Sequence, residues 1–145
     1  MPDQETLERA REDAREGKSP STQAGEFVRE EIHHVREGKH GAKSAKQVIA
    51  IGLSKARRAG VKLGVPKGNA STRKKAAQDK RAAKKRTRKK SAARSRATTK
   101  ALKREPRSAA SHQAVSRQAK TAAAQRGKQS RKKAAMKAAQ TRKAA

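Results

Sequence analysis

Residues 23–60 read QAGEFVREEIHHVREGKHGAKSAKQVIAIGLSKARRAG, and this stretch decides the fold because it is the densest run of bulky apolar residues in the chain. Its first half predicts a helix from Gln23 to Glu37, with Phe27 at the edge of the apolar face. Four residues form that face at helical spacing: Ala24, Val28, Ile32 and Val35. Gly38 predicts the end of the helix, since glycine readily adopts the left-handed conformation that closes one.

A further helix is predicted after the connection Gly38–Lys43. Ser44 and Gln47 form the SxxQ pattern of a capping box, which satisfies backbone N–H groups at a helix start. Seven small or apolar residues then share one stripe: Ala45, Val48, Ile49, Gly52, Leu53, Ala56 and Ala59. Gly60 predicts the end of this helix. Two amphipathic helices joined in this way predict a helical hairpin, and Gly52 allows a close approach of the two backbones.

The predicted hairpin module spans residues 21–66. Its last part adds an extended apolar strip laid across the hairpin: Val61, Leu63 and Val65. A unit of this size without metal or disulfide usually needs help from a partner or from self-association. We therefore expect the hairpin to offer a surface for a second copy or for another protein.

Residues 1–20 are predicted to be an acidic helix followed by a linker. The helix runs from Asp3, a good N-cap residue, to Glu16, and Gly17 ends it. In the linker KSPST, residues 18–22, Pro20 is expected to prevent any continuation of this helix, and Ser21 or Thr22 is available to cap the next one.

Residues 67–145 form a low-complexity basic tail in which RKKAA recurs in variants. The tail holds 28 bases and two acids, whereas residues 1–40 hold seven bases and ten acids. Like charges three and four residues apart repel, so we expect the tail to be disordered when alone. On DNA, residues 108–126 are expected to become helical between breaks at Pro106 and Gly127. The predicted fold class is mostly α with extensive disorder, a small helical hairpin plus a disordered basic C-terminal tail.

The composition narrows the function classes. A formal net charge of +29 indicates a polyanionic partner, and the absence of cysteine excludes a disulfide framework and a thiolate metal site. No apolar run approaches the roughly 20 residues of a membrane span. No nucleophile with a base and an orienting group is recognisable, so we expect neither an enzyme nor a cofactor.

These features predict a histone-like, nucleoid-associated protein of the cytoplasm that binds duplex DNA without reading its sequence. Duplex DNA carries one phosphate charge per about 1.7 Å of its axis, so the 28 Lys and Arg side chains of the tail can neutralise the phosphates of on the order of 14 base pairs. One Phe and no Trp or Tyr leave little for stacking on bases. The predicted nucleic-acid-binding residues are Lys43, Lys46, Arg57, Arg58, Arg73, Lys74, Lys75, Lys80, Arg81, Lys84, Lys85, Arg86, Arg88, Lys89, Lys90, Arg94, Arg96, Lys103, Arg104, Arg131, Lys132, Lys133, Lys137, Arg142 and Lys143.

Four alternatives stay open. The first is an RNA- or ribosome-associated basic protein, and the second is an interaction adaptor that uses the hairpin. The third is a helix-turn-helix whose reading helix presents Lys46, Lys55, Arg57 and Arg58, but its six-residue connection exceeds the usual three to four. The fourth is a metal site from Glu30 with His34 and His33 with Glu37, pairs at helical spacing beside His40; a hydrated polar helix face is the favoured interpretation.

Residues 26–60 resemble a family of small basic bacterial proteins of unknown function, marked by a helix with the pattern KQxIAIxL[SR]xA. That pattern corresponds here to Lys46–Ala56, and the resemblance covers about a quarter of the chain. It implies a bacterial source and a hairpin module joined to basic extensions, and it brings no activity with it. The tail separately resembles in composition the C-terminal domains of linker histones and bacterial histone-like proteins.

Overall fold

Helices form the whole regular structure of the described residues. The computed structural model describes residues 2–84 and 91–144, and within these it contains no strand. The elements are α1 (Gln4–Arg15), α2 (Pro20–Arg36), α3 (Ala45–Arg58), α4 (Ala70–Lys84), α5 (Ala92–Lys103), a 3₁₀ helix (Arg107–Ala110), α6 (His112–Gln125) and α7 (Lys128–Ala144). The predicted mostly α class is therefore confirmed.

The first three helices match the sequence expectation except at the start of α2. Gly17, Gly38 and Gly60 end them with positive φ angles, as predicted. Helix α2 begins at Pro20, where Ser19 is the N-cap and accepts a hydrogen bond from the Thr22 N–H. The expectation that Ser21 or Thr22 caps this helix was wrong, because Ser19 is the cap and Pro20 takes the first helical position, for which proline is well suited.

Helices α2 and α3 pack as a hairpin around Gly52. A Cβ at this position would lie 2.7 Å from the Cα of Val28, so the two backbones touch where the sequence predicted. Phe27 is 1% exposed and lies at the centre of this contact rather than at its edge. It packs in one apolar cluster with Ala10 of α1, Ala24 and Ala56, and the flanking Leu7, Leu53, Val61 and Leu63 cover it. Val65, expected in the same strip, is instead 74% exposed.

A second apolar cluster joins the hairpin to the basic tail. Val35, Ala42 and Val48 are fully buried there against Ala109 and Ala110 of the 3₁₀ helix. Residues 102–110, which we call the strap, run along the loop between α2 and α3. The N–H groups of Gly41 and Ala42 donate to the carbonyl oxygens of Leu102 and Pro106, at 2.8 and 3.1 Å. The strap thus completes the core that the hairpin begins.

The predicted disorder of the tail is wrong, because the described part of residues 67–145 forms four α-helices and the strap. Alanine, lysine, arginine and glutamine have high helix propensity, and this outweighs the repulsion between like charges. Ser91 and Ser111 also cap α5 and α6 with their side chains. Helix α6 exists without DNA, so the expectation that residues 108–126 need DNA to become helical was wrong too. The predicted part boundaries at residues 20 and 66 stay predictions.

Helix α4 is held on α3 by a buried carboxylate. Asp79, which is 2% exposed, accepts hydrogen bonds from the Ser54 hydroxyl at 2.7 Å, Arg58 Nε at 2.9 Å and Lys75 Nζ at 2.9 Å. Burial alone would raise the pKa of Asp79, but the hydrogen bonds from Lys75, Ser54 and Arg58 together outweigh it, so the pKa is lowered.

Acidification is therefore expected to release α4 from α3. A lowered pKa in the folded state means that Asp79 stabilises docking above about pH 4, and that this stabilisation is lost as the pH falls through its folded-state value. Asp79→Asn should show the released state already at neutral pH, at a cost of about 1–2 kcal/mol because Arg58 and Lys75 are half exposed. Amide exchange of α4 between about pH 2 and 5 measures this. Equal protection of α4 in the variant and the parent chain would contradict it.

None of the helices in the described part of the chain is long and apolar enough to cross a membrane.

Candidate nucleic-acid interface

Helices α5, α6 and α7 present a surface of one charge sign. Together they hold thirteen Lys and Arg residues and no Asp or Glu. All thirteen side chains are exposed. Within residues 2–84 and 91–144, none of them forms a salt bridge with a carboxylate. Since no carboxylate of the described residues pairs with them, these side chains are free to exchange the ions of the solution for phosphate groups.

A shallow open groove of about 440 Å³ runs along one face of α5. Four bases and two hydroxyls line it: Ser95, Arg96, Thr99, Lys100, Lys103 and Arg104. Arg96, Lys100 and Arg104 follow one another at four-residue spacing, which places their Cα atoms about 6 Å apart along the helix. The groove therefore offers a row of cations with hydroxyl donors beside it, a combination that suits successive phosphates of a nucleic-acid strand.

Helix α7 is the longest continuous cationic element of the tail. It has 17 residues, so it is about 26 Å long. Every side chain from Lys128 to Lys143 is exposed. A helix of this kind fits the major groove of DNA, which is about 12 Å wide, with phosphates on both sides.

Most of the predicted nucleic-acid-binding residues lie on exposed helix faces. On α4 these are Arg73, Lys74, Lys80, Arg81 and Lys84. On α5, at its C-cap and on α7 they are Arg94, Arg96, Lys103, Arg104, Arg131, Lys132, Lys133, Lys137, Arg142 and Lys143. Lys85, Arg86, Arg88, Lys89 and Lys90 lie outside the described residues.

The predicted residues nearest the hairpin are less available. Arg58 and Lys75 are bound to Asp79, and Lys43 Nζ lies 3.9 Å from Glu105 Oε1. Arg57 is half buried, and its Nε is enclosed without a hydrogen-bond partner among the described residues. Only Lys46 of this group is both exposed and outside the salt bridges described for the chain. The structure thus moves the candidate interface away from α3.

Sequence reasoning also missed several exposed bases. Lys100, Arg117, Lys120, Arg126 and Lys128 lie on or beside α5, α6 and α7. The prediction favoured runs of adjacent bases such as RKK, and these five stand singly in the sequence. Their signal is helical spacing between bases, which becomes informative only once the tail is known to be helical.

In contrast, Glu26, Glu30 and Glu31 form ion pairs within the amino-terminal half of the chain. Lys55 Nζ lies 2.7 Å from Glu30 Oε1 and 2.6 Å from Glu31 Oε2, and both carboxylates are buried. Burial alone would lower the pKa of Lys55, but the pairing with Glu30 and Glu31 outweighs it, so the pKa is raised and the ammonium stays charged. Arg9 pairs likewise with Glu26 at 2.7 Å. Glu26, Glu30 and Glu31 thus pair with cations of α1 and α3, and no salt bridge among the described residues joins them to α5, α6 or α7.

The helix-turn-helix alternative loses its support in this geometry. The connection between α2 and α3 is eight residues long, longer than the six expected. Of the four basic side chains that would contact DNA from α3, Lys55 and Arg58 form ion pairs with buried carboxylates. Helix α4 packs on α3 in addition, so α3 cannot enter a groove in the manner of a recognition helix.

No protein-family model, no curated protein and no solved structure matches this chain.

Proposed function

We propose that this protein is a sequence-nonspecific, histone-like DNA-binding protein, associated with the nucleoid in the cytoplasm, that neutralises and compacts duplex DNA through its basic tail. The observation that carries the proposal is the surface of α5, α6 and α7, with thirteen exposed bases and no acid. A protein that makes many phosphate contacts gains affinity by releasing counterions from DNA. Such contacts position a protein on the duplex but carry no sequence information.

Two further observations favour duplex DNA without sequence readout. Phe27, the only Phe, Tyr or Trp of the chain, is 1% exposed, so it does not stack on bases in the way that single-strand and RNA readers use aromatic rings. The tail is organised as several cationic helices rather than as one extended strand. Separate helices can reach separate grooves or separate duplexes, and this is the basis for compaction.

The hairpin is a weaker candidate for a docking surface than its sequence indicates. Helix α1, helix α4 and the strap cover it in the structure. Among the described residues, the exposed large apolar side chains are Val65 and Met136, which are far apart in the sequence. An adaptor function and self-association through the hairpin stay predictions, and no specific feature of the surface favours them.

The proposal predicts tight, salt-dependent and sequence-independent binding. Fluorescence anisotropy with two unrelated duplexes of equal length should give equal affinities that fall by at least about 10³ between 50 and 200 mM salt. If all thirteen bases contacted phosphate, the slope of log affinity against log salt would reach at most about −12.

Structured RNA of equal charge serves as the comparison at one fixed salt concentration. A clear preference for RNA would replace the DNA assignment with the RNA alternative. No binding to either nucleic acid at low salt would contradict the proposal as a whole.

A further inference from the structure

A buried group of titratable side chains lies at the amino-terminal end of the fold, far in sequence from the basic tail. Glu30 and Glu31 of α2 are 2% and 1% exposed at their side chains, and His34 and His40 beside them are 12% and 15% exposed. Asp3, the N-cap residue of α1, completes the group from the solvent side, since its side chain is 56% exposed. The sequence interpretation of this helix face as hydrated is therefore wrong for Glu30 and His34.

Two sets of donor atoms converge within this group. One atom each from Glu31, His34 and His40 lie within 4.8 Å of one another, and so do one atom each from Asp3, Glu30 and His34. His34 belongs to both sets. Its Nε2 lies 3.0 Å from Asp3 Oδ2, and its Nδ1 lies 3.9 Å from Glu30 Oε1. Two imidazoles with carboxylates are a common ligand set for zinc.

The hydrogen bonds of His40 set a specific requirement. Its Nδ1 lies 3.0 Å from the Gly41 carbonyl oxygen, an acceptor that fixes a hydrogen on Nδ1. Its Nε2 then turns a lone pair toward Glu31 Oε1 at only 2.7 Å. A lone pair and a carboxylate oxygen at that distance repel unless a cation, a proton or a metal ion, lies between them. The Nδ1 contact to a backbone carbonyl is also the usual second partner of a metal-binding histidine.

The charge balance of the group points to a divalent cation. Asp3, Glu30 and Glu31 bring three negative charges, and Lys55 supplies the one ammonium in contact with the two buried carboxylates. Three further cations line the adjoining cavity. Arg9 and Lys39 pair with other acids, Glu26 and Glu37, and Arg29 is exposed to solvent. With neutral imidazoles the two buried carboxylates therefore carry one negative charge more than Lys55 balances, and the carboxylate of Asp3, which is 56% exposed, adds a second beside the cavity. Buried charge without a partner is costly.

The group is accessible on the side of His34. An open cavity of about 290 Å³ lies against Asp3, Glu30 and His34. We propose that His34, His40 and Glu31, with Asp3 or Glu30 as a fourth ligand, form a binding site for a divalent transition-metal ion of the zinc type. Ligand atoms of a tetrahedral zinc ion lie about 3.4 Å from one another. Side-chain rotation would therefore bring the more distant donor atoms of the group closer by roughly 1 Å and would separate the His40 and Glu31 atoms, which are 2.7 Å apart.

Bound metal would act on the fold through the loop that carries His40. This loop is the part of the core to which the strap docks, through the N–H groups of Gly41 and Ala42. Fixing His40 therefore holds the docking edge of the strap in place. Helix α1 would be tied to α2 by the same ion wherever Asp3 is the fourth ligand.

Isothermal titration of the full chain with ZnCl₂ tests the site, and we expect one ion bound per chain. His34→Gln and His40→Gln should each weaken binding at least tenfold. His33→Gln is the matched control. His33 precedes His34 in the sequence, its side chain is 61% exposed, and the carboxylate beside it, 4.0 Å away, is that of Glu37, which is not a proposed ligand. Zinc at 100 times its dissociation constant should shift the unfolding equilibrium about 100-fold toward the folded state.

A measurement on the unsubstituted chain covers the case in which a variant fails to fold. The chain has four histidines, His33, His34, His40 and His112, so its imidazole NMR signals can be assigned completely. Zinc should shift the signals of His34 and His40 and leave those of His33 and His112 in place. Absence of zinc binding, equal loss of affinity in the His33 control, or shifts at His33 and His112 alone would overturn the site and leave a proton as the cation between His40 and Glu31.

Discussion

Replacing Gly41 with alanine is expected to detach the strap from the helical core. A Cβ at residue 41 would lie 1.8 Å from the carbonyl oxygen of Glu105 and 2.4 Å from its carbonyl carbon. Both are backbone atoms, so no side-chain rotation relieves the clash. Gly41 does not have a positive φ, and alanine is therefore tolerated by the loop itself. The substitution acts only on the contact between the loop and the strap.

The cost follows from what the strap contributes. Its release exposes Ala109 and Ala110, opens one side of Val35 and Val48, and removes the hydrogen bonds to Leu102 and Pro106. Two methyl groups, partly opened valines and two buried hydrogen bonds together amount to about 2–4 kcal/mol. For a marginally stable small domain this is a large share of the free energy of unfolding.

Thermal unfolding followed by circular dichroism measures the reduced stability, and amide exchange at residues 41 and 42 locates it. Gly64→Ala is the matched control, since Gly64 also lies in a connecting segment and has nothing within 4 Å of the place that an alanine methyl group would occupy. The control should leave stability almost unchanged. Unaltered protection of both amides in Gly41→Ala would mean that the strap does not dock as described.

The strap also marks the limit of what the sequence predicts. Helices α1, α2 and α3 were predictable because apolar spacing and terminal glycines agree in residues 1–60, and Ser44 caps α3 as its sequence pattern indicates. Ala109 and Ala110 give no comparable signal, since they are two among many alanines of a low-complexity segment. Their burial depends on a tertiary contact with Val35 and Val48 that no local pattern encodes.

The burial of Glu30, Glu31 and Asp79 could not be predicted from the sequence either. Glu30 and Glu31 stand in a charged helix, where carboxylates are usually solvated. Their burial depends on partners from other elements, namely Lys55 of α3 for both, the Asp3 N–H for Glu30 and His40 for Glu31. Asp79 is one of two acids in the tail, and the sequence gives no reason to single it out. Its role becomes visible when α4 lies against Ser54 and Arg58.

The sequence predicts the positive charge of the candidate interface but not which Lys and Arg side chains form it. Composition alone indicates a polyanion as the partner. Which bases remain available depends on folding, because Arg58 and Lys75 are drawn to Asp79 while α5 to α7 have no acid of their own. This also changes how the function is best tested. Ending the chain at residue 66 would remove Ala109 and Ala110 from the core, so substitution separates binding from folding better than truncation does.

Removing the positive charge of six Lys and Arg side chains of α7 is expected to reduce DNA affinity by several orders of magnitude. The six residues changed to glutamine are Arg131, Lys132, Lys133, Lys137, Arg142 and Lys143. Removing one phosphate contact makes the slope of log affinity against log salt shallower by about 0.9, so full engagement of all six gives a change of about 5. At 0.1 M salt that slope corresponds to a decrease in affinity of up to about 10⁵.

The fold should survive this substitution. The side chains of these residues are exposed, and glutamine has a helix propensity close to those of lysine and arginine. Circular dichroism should therefore report unchanged helix content, and any decrease in binding is then due to the removed charge. The matched control changes Lys132, Lys133, Lys137 and Lys143 to arginine, which keeps the charge and alters the side-chain shape.

The two variants separate charge from residue identity. If α7 contacts phosphates as point charges, the arginine variant binds like the parent chain and keeps its salt slope, whereas the glutamine variant binds more weakly and with a shallower slope. If the glutamine variant kept the affinity and slope of the parent chain, α7 would lie off the DNA, and the groove along α5 with the bases of α6 would have to supply the contacts. Weaker binding by both variants would instead indicate that α7 recognises its partner by shape, which a sequence-nonspecific electrostatic binder does not do.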